Sequence, residues 1–373
     1  MSISGVCGVP SPPPTLRLQS VEAQGPGRAI FCAKCNGNLT LAIGWRCRPR
    51  GRSARIGPGF GEKFKPLKKI MSAELAFNRS QDVAYGVAQE VAPGIRRIVA
   101  NNPGPYTFLG TNTYIVGTGE VAVIDPGPAD ERHAKAIAGA LKGERLAYIL
   151  ITHSHRDHSD GARVLQALVG GKIAAFGPSG TPRGAGAAGL GKAFIDPHFM
   201  PDRKLSNGDT VRGAGFALDV LHTPGHAPDH LCFALVGKRT VFTGDHVMGW
   251  NTTVIAPPEG NMAQFLASLE RLMPRHDKMF LPGHGGRIQT PQRVVKAYIM
   301  HRKWREQTIL ACLDEGVRTV PLIVERLYGT LDAGLKDAAA LSVLAHLEHL
   351  TARELVAAEG PDGLSSVFSS RAS

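Results

Sequence analysis

The stretch THSHRDHSDGA, residues 152–162, places His153, His155, Asp157 and His158 within six positions. Neutral imidazoles and carboxylates are common ligands of zinc and similar divalent ions. The apolar run YILIT leads directly into them and is typical of a buried strand. The sequence therefore predicts a metal site at the carboxyl end of that strand. The alternative is a polar turn whose histidines are incidental.

Three later segments repeat this arrangement, in which an apolar run leads into a Gly-containing turn with polar side chains. LHTPGHAPDH supplies His222, His226 and His230, VFTGDH supplies Asp245, and FLPGHGG supplies His284. Glycine at such turns lets the backbone approach closely and removes competing bulk. Each turn alone could be an ordinary polar turn. Together with the HxHxDH cluster, they indicate one composite metal site.

The elements that must position these turns alternate between strands and helices. GIRRIVAN, NTYIVG and EVAVIDPG have the character of strands, and ADERHAKAIAGALKG has helical spacing. A helix from about residue 160 to 168 follows the histidine cluster, and the strand KIAAFG follows that helix. FALDVLHT, HLCFALVG and RTVFTGD predict further strands, and MAQFLASLERLM predicts a helix. This order predicts two sheets covered by helices.

After Gly286 the pattern becomes helical. Arg293–Glu315 contains neither Gly nor Pro and precedes Gly316, which predicts a long helix with a glycine stop. VPLIVERLYG predicts a second, short helix. A third helix is predicted after it, because its apolar residues fall on one face. That face comprises Val343, Leu344, Leu347 and Leu350. ELVAAEGPDGLSSVF predicts two short strands around a turn, so the whole resembles a winged-helix module.

The net charge of +12 is concentrated in the first 70 residues. This segment has 12 Lys and Arg against two acids, and it contains the clusters SPPP, GPGR and GPGFG. Such a composition is typical of a disordered or targeting segment. Residues 1–70 are therefore predicted to be a disordered basic extension, with a targeting segment, or an untranslated stretch if Met71 is the true start, as alternatives. The remaining 31 bases and 29 acids nearly balance.

Cysteine usage and hydropathy favour a cytoplasmic protein without a membrane partner. Only Cys232 and Cys312 lie beyond residue 70, which is typical of a reducing compartment rather than a disulfide framework. No apolar run approaches the roughly 18 residues of a membrane span. The oligomeric state is left open, with a homodimer as one option.

The motifs TNTYIVGTG, VIDPG, HxHxDH, HTPGHAPDH, FTGDHVMG and LPGHGG, in this order, resemble the metallo-β-lactamase superfamily. Together with HRKWREQ, these motifs are most similar to the β-lactamase-like protein 2 group. Members of that group carry a C-terminal winged helix and are related to glyoxalase II. The resemblance extends from about Val91 to beyond Leu350. It implies an α/β fold, an αββα sandwich at residues 71–286 and a helical winged-helix domain at 287–365. Asp125 takes the position of the family's structural aspartate.

The resemblance also implies two metal ions, with zinc as the default and iron or manganese as alternatives. Carried over residue by residue, it assigns the first ion to His153, His155 and His226, the second to Asp157, His158 and His284, and Asp245 to both. Asp157 is the predicted catalytic residue, because it would also orient the bridging hydroxide. His222 and His230 are candidates for orienting ligands or for protonating the leaving group.

Two such ions about 3.5–4 Å apart lower the pKa of a shared water towards neutrality, which predicts a hydrolase for an ester, thioester, amide or phosphodiester. Three hypotheses remain. The protein is an endoribonuclease that clamps single-stranded RNA with its winged helix, a thioesterase or esterase like glyoxalase II, or a winged-helix binding protein with a vestigial sandwich. The complete ligand set disfavours the last. A basic stripe towards the cleft would favour RNA, and a closed apolar pocket would favour a thioester.

Overall fold

The computed structural model describes Phe77, Arg79 and residues 83–178, 195–196 and 198–371. The basic extension predicted at residues 1–70 lies outside this part of the chain, so its character stays a prediction. Among the described residues, no helix combines the length and apolar character that crossing a bilayer requires.

The first sheet contains seven strands that lie side by side in chain order. They are β1 (Gln89–Ala92), β2 (Ile95–Val99), β3 (Asn112–Thr118), β4 (Glu120–Ile124), β5 (Arg145–Leu150), β6 (Lys172–Ala175) and β7 (Arg203–Lys204). Strands β1 to β4 pair antiparallel, whereas β4 to β7 pair parallel. The parallel half therefore needs crossovers, and helices form two of them.

In the part of the chain that the structure describes, three helices accompany this sheet: α1 (Glu131–Ala140), the single turn α2 (Arg156–Ser159) and α3 (Gly161–Val169). Helix α1 begins after Asp130, whose side chain accepts a hydrogen bond from the backbone N–H of Arg132. The helix predicted at residues 160–168 is thus present as α3. Between β5 and α3, the chain turns through the histidine cluster and α2.

The second sheet has five strands in the spatial order β12-β11-β10-β9-β8. They are β8 (Thr210–Gly213), β9 (Phe216–His222), β10 (Leu231–Leu235), β11 (Thr240–Gly244) and β12 (Met279–Pro282). Strands β8 to β11 pair antiparallel, and β11 pairs parallel with β12. Helix α4 (Met262–Leu272) makes this last crossover and is capped by the side chain of Asn261.

Strand alternation divides the apolar side chains between three layers. In β4, Ala122 and Ile124 pack between the two sheets, whereas Val121 and Val123 pack outwards with Ile137 of α1. The outer face of the second sheet packs against α4 and against the long helix that follows β12. The result is the αββα sandwich that the sequence predicted.

The C-terminal part consists of helices and a two-stranded wing: α5 (Pro291–Asp314), α6 (Val320–Tyr328), α7 (Ala333–Ala352), β13 (Val356–Glu359) and β14 (Val367–Ser370). The four residues of the predicted apolar face of α7 are all buried. Helix α5 places Tyr298 in the core beside the second sheet and Ile309 in the core of the C-terminal helices. Because α5 serves both cores, the boundary predicted between residues 286 and 287 stays a prediction.

Candidate metal centre

The predicted ligands project from loops that follow strands of both sheets. The turn after β5 carries His153 and His155, the single turn α2 carries Asp157 and His158, and the β9–β10 turn carries His226. Asp245 follows β11, and His284 follows β12. Ligand atoms of these seven residues form three groups in which all atoms lie within 4.8 Å of one another. Their assignment as ligands stays a prediction, but the structure brings all of them together.

The first group is built from His153, His155 and His226. The His155 Nδ1 atom lies 2.9 Å from His153 Nε2 and 3.1 Å from His226 Nε2. Two nitrogens that bind one zinc ion tetrahedrally, each about 2.0–2.1 Å from it, are about 3.3 Å apart. These two separations are close to that value, and all three nitrogens lie within 4.8 Å of one another, so one ion could bind between them.

The second group is built from Asp157, His158 and His284. The two histidine Nε2 atoms are 3.2 Å apart, and Asp157 Oδ2 lies 3.4 Å from that of His158 and 3.2 Å from that of His284. These separations also match ligands of one ion. His158 and His284 are almost fully buried, whereas the Asp157 side chain is 25% exposed. Asp157 is therefore the member of this group that is open to solvent.

Asp245 faces both groups, one with each carboxylate oxygen. Its Oδ2 lies 3.7 Å from His226 Nε2, and its Oδ1 lies 3.4 Å from His284 Nε2 and 3.5 Å from His158 Nε2. Within the described part of the chain, the buried Oδ1 has no hydrogen-bond partner. A buried carboxylate oxygen without a partner is costly. A cation between the two groups would satisfy it, so the donor set fits a pair of divalent ions.

Burial and charge leave His153 and His226 neutral and Asp245 ionised. Burial, followed by neighbouring histidines, lowers the pKa of His153 well below its usual value and that of His226 to about 4. Both rings are therefore neutral at neutral pH and keep a lone pair for a cation. Burial would raise the pKa of Asp245, but His284 and His158 outweigh it and hold that pKa well below its usual range.

The carboxylates create a negative field around the second group. Burial would lower the pKa of His158, but Asp157, Asp245 and Asp125 together raise it well above its usual value. Burial would also lower the pKa of His284, but the carboxylates, and Asp245 most of all, raise it above its usual value. A field that draws a proton onto these rings also favours a cation that displaces the proton.

Asp125 orients both the histidine turn and one of its rings. Its carboxylate accepts hydrogen bonds from the backbone N–H and the hydroxyl of Thr152, at 2.8 and 2.7 Å. It also accepts one from His158 Nδ1, at 2.9 Å, which leaves Nε2 of that ring for the centre. The resemblance had placed Asp125 at this strand end. The structure adds that it holds His158 directly.

His230 and His222, the two remaining candidates, differ in position. The buried His230 ring accepts a hydrogen bond from the Asp245 backbone N–H at 3.1 Å, so it contacts the loop of a predicted ligand. His222 Nε2 donates to the Pro228 carbonyl at 2.9 Å, and its ring stacks on Phe176. None of the described contacts connects His222 with a ligand. The role predicted for these two residues stays a prediction.

Close backbone packing holds the ligand loops in place. A Cβ atom at Gly283 would lie 2.7 Å from His158 Cε1 and 2.8 Å from Asp245 Oδ1, which only glycine avoids. Asn112 of the first sheet donates its side-chain N–H groups to the carbonyls of Pro282 and Gly285, at 2.9 and 2.8 Å. The loop of His284 is thereby tied to the opposite sheet.

Sequence reasoning did not single out three of the polar residues near the site. Asn112 is one of them. Asp229 accepts a hydrogen bond from the backbone N–H of Ser154 at 2.9 Å and so fixes the HSH turn. Glu259 borders the same cavity as the ligands. Asp229 could have been found, because it lies between two histidines in HAPDH. Glu259 could not, because its segment, APPEG, has the composition of an ordinary loop.

A cavity of about 250 Å³ opens beside the ligands. Its floor contains five predicted ligands, and its walls are mainly apolar. The walls include Pro105, Tyr106, Val254, Ala256, Ala338 and Leu341. The last two belong to α7, so the C-terminal module forms one wall. Arg156 is the only Lys or Arg among the described residues that line it.

Comparison with known proteins agrees with this geometry. A family model of the metallo-beta-lactamase superfamily matches residues 106–284, and a model of the beta-lactamase associated winged helix domain matches residues 319–363. An atrochrysone carboxyl ACP thioesterase of Aspergillus fumigatus is 30% identical over 66% of this chain and 76% of its own length. The beta-lactamase-like protein 2 homolog of Drosophila melanogaster is 30% identical over 68% of this chain and 86% of its own length. The chain belongs to the metallo-β-lactamase superfamily.

Solved structures support the same fold. The structure of a beta-lactamase domain protein from Burkholderia ambifaria has a TM-score of 0.65 and 22% identity, and the match covers 78% of this chain and 96% of that one. The predicted resemblance, the sandwich and the winged helix are therefore confirmed. This member of the superfamily is a hydrolase.

Proposed function

We propose that this metallo-β-lactamase superfamily hydrolase cleaves an acyl thioester and accommodates the acyl group in the cavity beside the ligand cluster. The apolar cavity wall carries this proposal. A hydrocarbon or aromatic acyl group gains free energy when it leaves water for such a wall. A phosphodiester backbone would instead need several cations, and Arg156 alone lies there among the described lining residues.

The basic side chains of α5 give little support to RNA binding. Arg302 and Arg305 are 3% and 8% exposed. The Arg302 guanidinium donates to the Thr253 carbonyl, and that of Arg305 lies over the rings of Trp304 and Tyr328. These two arginines belong to the interior and cannot contact phosphates.

The thioesterase name of the Aspergillus fumigatus relative supports the same substrate class for this chain. Zinc, iron or manganese would each suit a donor set of imidazole nitrogens and carboxylate oxygens. Two such ions, when bound, would supply Lewis acidity and a water of lowered pKa. His153, His155 and His226 would hold one ion, Asp157, His158 and His284 the other, and Asp245 both.

Asp157 has a further role in this proposal. Burial alone would raise the pKa of Asp157, but His158 and His284 hold it below its usual range. Its ionised carboxylate is partly exposed, so it would accept a hydrogen bond from the attacking water and orient it towards the carbonyl carbon. The apolar wall would keep the acyl group, and hence that carbon, next to Asp157.

The test is hydrolysis by the full chain loaded with zinc. We expect release of free thiol from aromatic and medium-chain acyl thioesters of N-acetylcysteamine, and no cleavage of end-labelled single-stranded RNA. His155→Ala should abolish turnover, whereas the exposed His198→Ala should retain it, which excludes a contaminating hydrolase. RNA cleavage that disappears in His155→Ala, without turnover of any thioester, would replace this proposal with the nuclease hypothesis.

A further inference from the structure

The ring nitrogens that point away from the cluster follow a regular pattern. Four of the five predicted histidine ligands donate this N–H to a fixed oxygen within 3.2 Å. The pairs are His153 with Thr152 Oγ1, His158 with Asp125, His226 with the Val254 carbonyl, and His284 with the Gly110 carbonyl. Such a bond sets the tautomer and the orientation of a metal-binding imidazole. His155 is the fifth and requires its own partner.

The outward nitrogen of His155 is Nε2, because Nδ1 lies among the nitrogens of the first group. Glu259 Oε2 lies 3.6 Å from this Nε2. No other oxygen acceptor for it occurs among the described contacts. Glu259 comes from the loop whose Val254 carbonyl already accepts from His226. One loop therefore lies behind two rings of the first group.

Glu259 is otherwise unexplained by the fold. Its side chain is 7% exposed, and its buried Oε1 has no hydrogen-bond partner in the described part of the chain. A buried carboxylate oxygen without a hydrogen-bond partner destabilises the folded chain. A nearby cation would offset this cost. The Asp245 carboxylate also faces the first group, so Glu259 would add a second negative charge near its three imidazoles.

We infer that Glu259 is a positioning residue for the first ion. Its carboxylate accepts the Nε2–H of His155, directs Nδ1 into the cluster, and adds a negative charge beside the three imidazoles of the first group. The observed 3.6 Å is longer than a hydrogen bond, so the carboxylate must approach by about half an ångström when the site is loaded. This movement is within the reach of a flexible side chain.

Zinc binding tests this role without a substrate. Zn²⁺ would be titrated into the metal-free full chain in competition with a chromophoric chelator, and two stoichiometric sites would be resolved. Glu259→Ala should weaken one site by about 10–100-fold. Glu259→Gln should weaken it less, since the amide oxygen still accepts from Nε2–H but carries no charge. Glu270→Ala, which removes an exposed acid on α4, should match the unaltered chain.

Thermal melting separates positioning from a structural role. The metal-free Glu259→Ala variant should melt at or above the temperature of the unaltered chain, because it loses an unpartnered buried carboxylate. Its stabilisation by zinc should be smaller. Equal zinc affinity in Glu259→Ala within twofold, or equal loss of melting temperature with and without zinc, would overturn the inference. Neither readout depends on thioester hydrolysis, so the two proposals fail independently.

Discussion

Asp125 concentrates three hydrogen bonds on one buried carboxylate, in a residue with a positive φ of 51°. Asp125→Asn keeps the shape, but its amide N–H group would face donors from Thr152 or His158. We expect the metal-free protein to lose about 2–4 kcal/mol of unfolding free energy. Urea unfolding would measure it, with the exposed Asp362→Asn as the control. A change below 0.5 kcal/mol, taken as roughly the scatter of surface substitutions, would contradict this role.

His133 provides a residue-level test of acid sensitivity away from the metal ligands. Burial lowers the pKa of His133 to about 4, and its Nδ1 has no hydrogen-bond partner among the described residues. Below the unfolded pKa of about 6.5, the unfolded chain therefore binds a proton that the folded chain does not. This difference removes stability as the pH falls from about 6.5 to 4, on the order of 3 kcal/mol.

Replacing His133 with Leu should remove this contribution. Urea unfolding of the metal-free protein at several pH values between 7.5 and 4 would show a shallower decline for His133→Leu than for the unaltered chain. The exposed His198→Leu serves as the matched control and should decline as the unaltered chain does. Parallel curves for His133→Leu and the unaltered chain would mean that folding does not change the pKa of His133.

At the scale of elements, α7 is the part of the cavity that the sequence did not predict. Ala338 and Leu341 are ordinary helix residues, and only the packing of α7 shows that they face the cavity. The proposed ligands could be found in the sequence because each lies in a short segment that follows an apolar strand. Glu259 could not, since its significance depends on a loop returning to His155 from far along the chain.

If the thioesterase proposal holds, α7 should also set the preferred acyl size. Ala338→Leu fills part of the cavity, so bulky acyl groups should lose kcat/KM by about 10–200-fold relative to small ones. Leu341→Ala should shift the preference towards bulkier groups. A series of acyl thioesters would measure these ratios. Ala352→Leu, at the exposed end of the same helix, is the control. Unchanged ratios of kcat/KM in Ala338→Leu and Leu341→Ala would exclude α7 from substrate selection.

At the scale of the whole molecule, the predicted ligands connect the two sheets. The HxHxDH turn follows β5 of the first sheet, whereas Asp245 and His284 follow β11 and β12 of the second. Ions bound between them would favour the folded state by about 2.7 kcal/mol at a free concentration one hundredfold above Kd. For a chain of this size, each kcal/mol corresponds to about 2–4 °C or less in melting temperature.

Chelation should therefore lower the melting temperature by several degrees, and added zinc should restore it. Scanning calorimetry before and after dialysis against a chelator would measure the change. The His155→Ala variant should show a smaller response, because one predicted ligand is missing. An identical melting temperature with and without zinc would indicate that no ion connects the sheets.

The predicted ligands and one wall of the cavity come from different parts of the chain, so the two can change independently during evolution. The predicted ligands come from segments that the close packing of Gly283 and the hydrogen bonds of Asn112 hold in place, so we expect few substitutions to be tolerated there. The wall formed by Ala338 and Leu341 belongs to a helix that carries no ligand. Substitutions in α7 can therefore reshape substrate range while the reactive centre stays intact, which makes this helix the natural target for directed evolution.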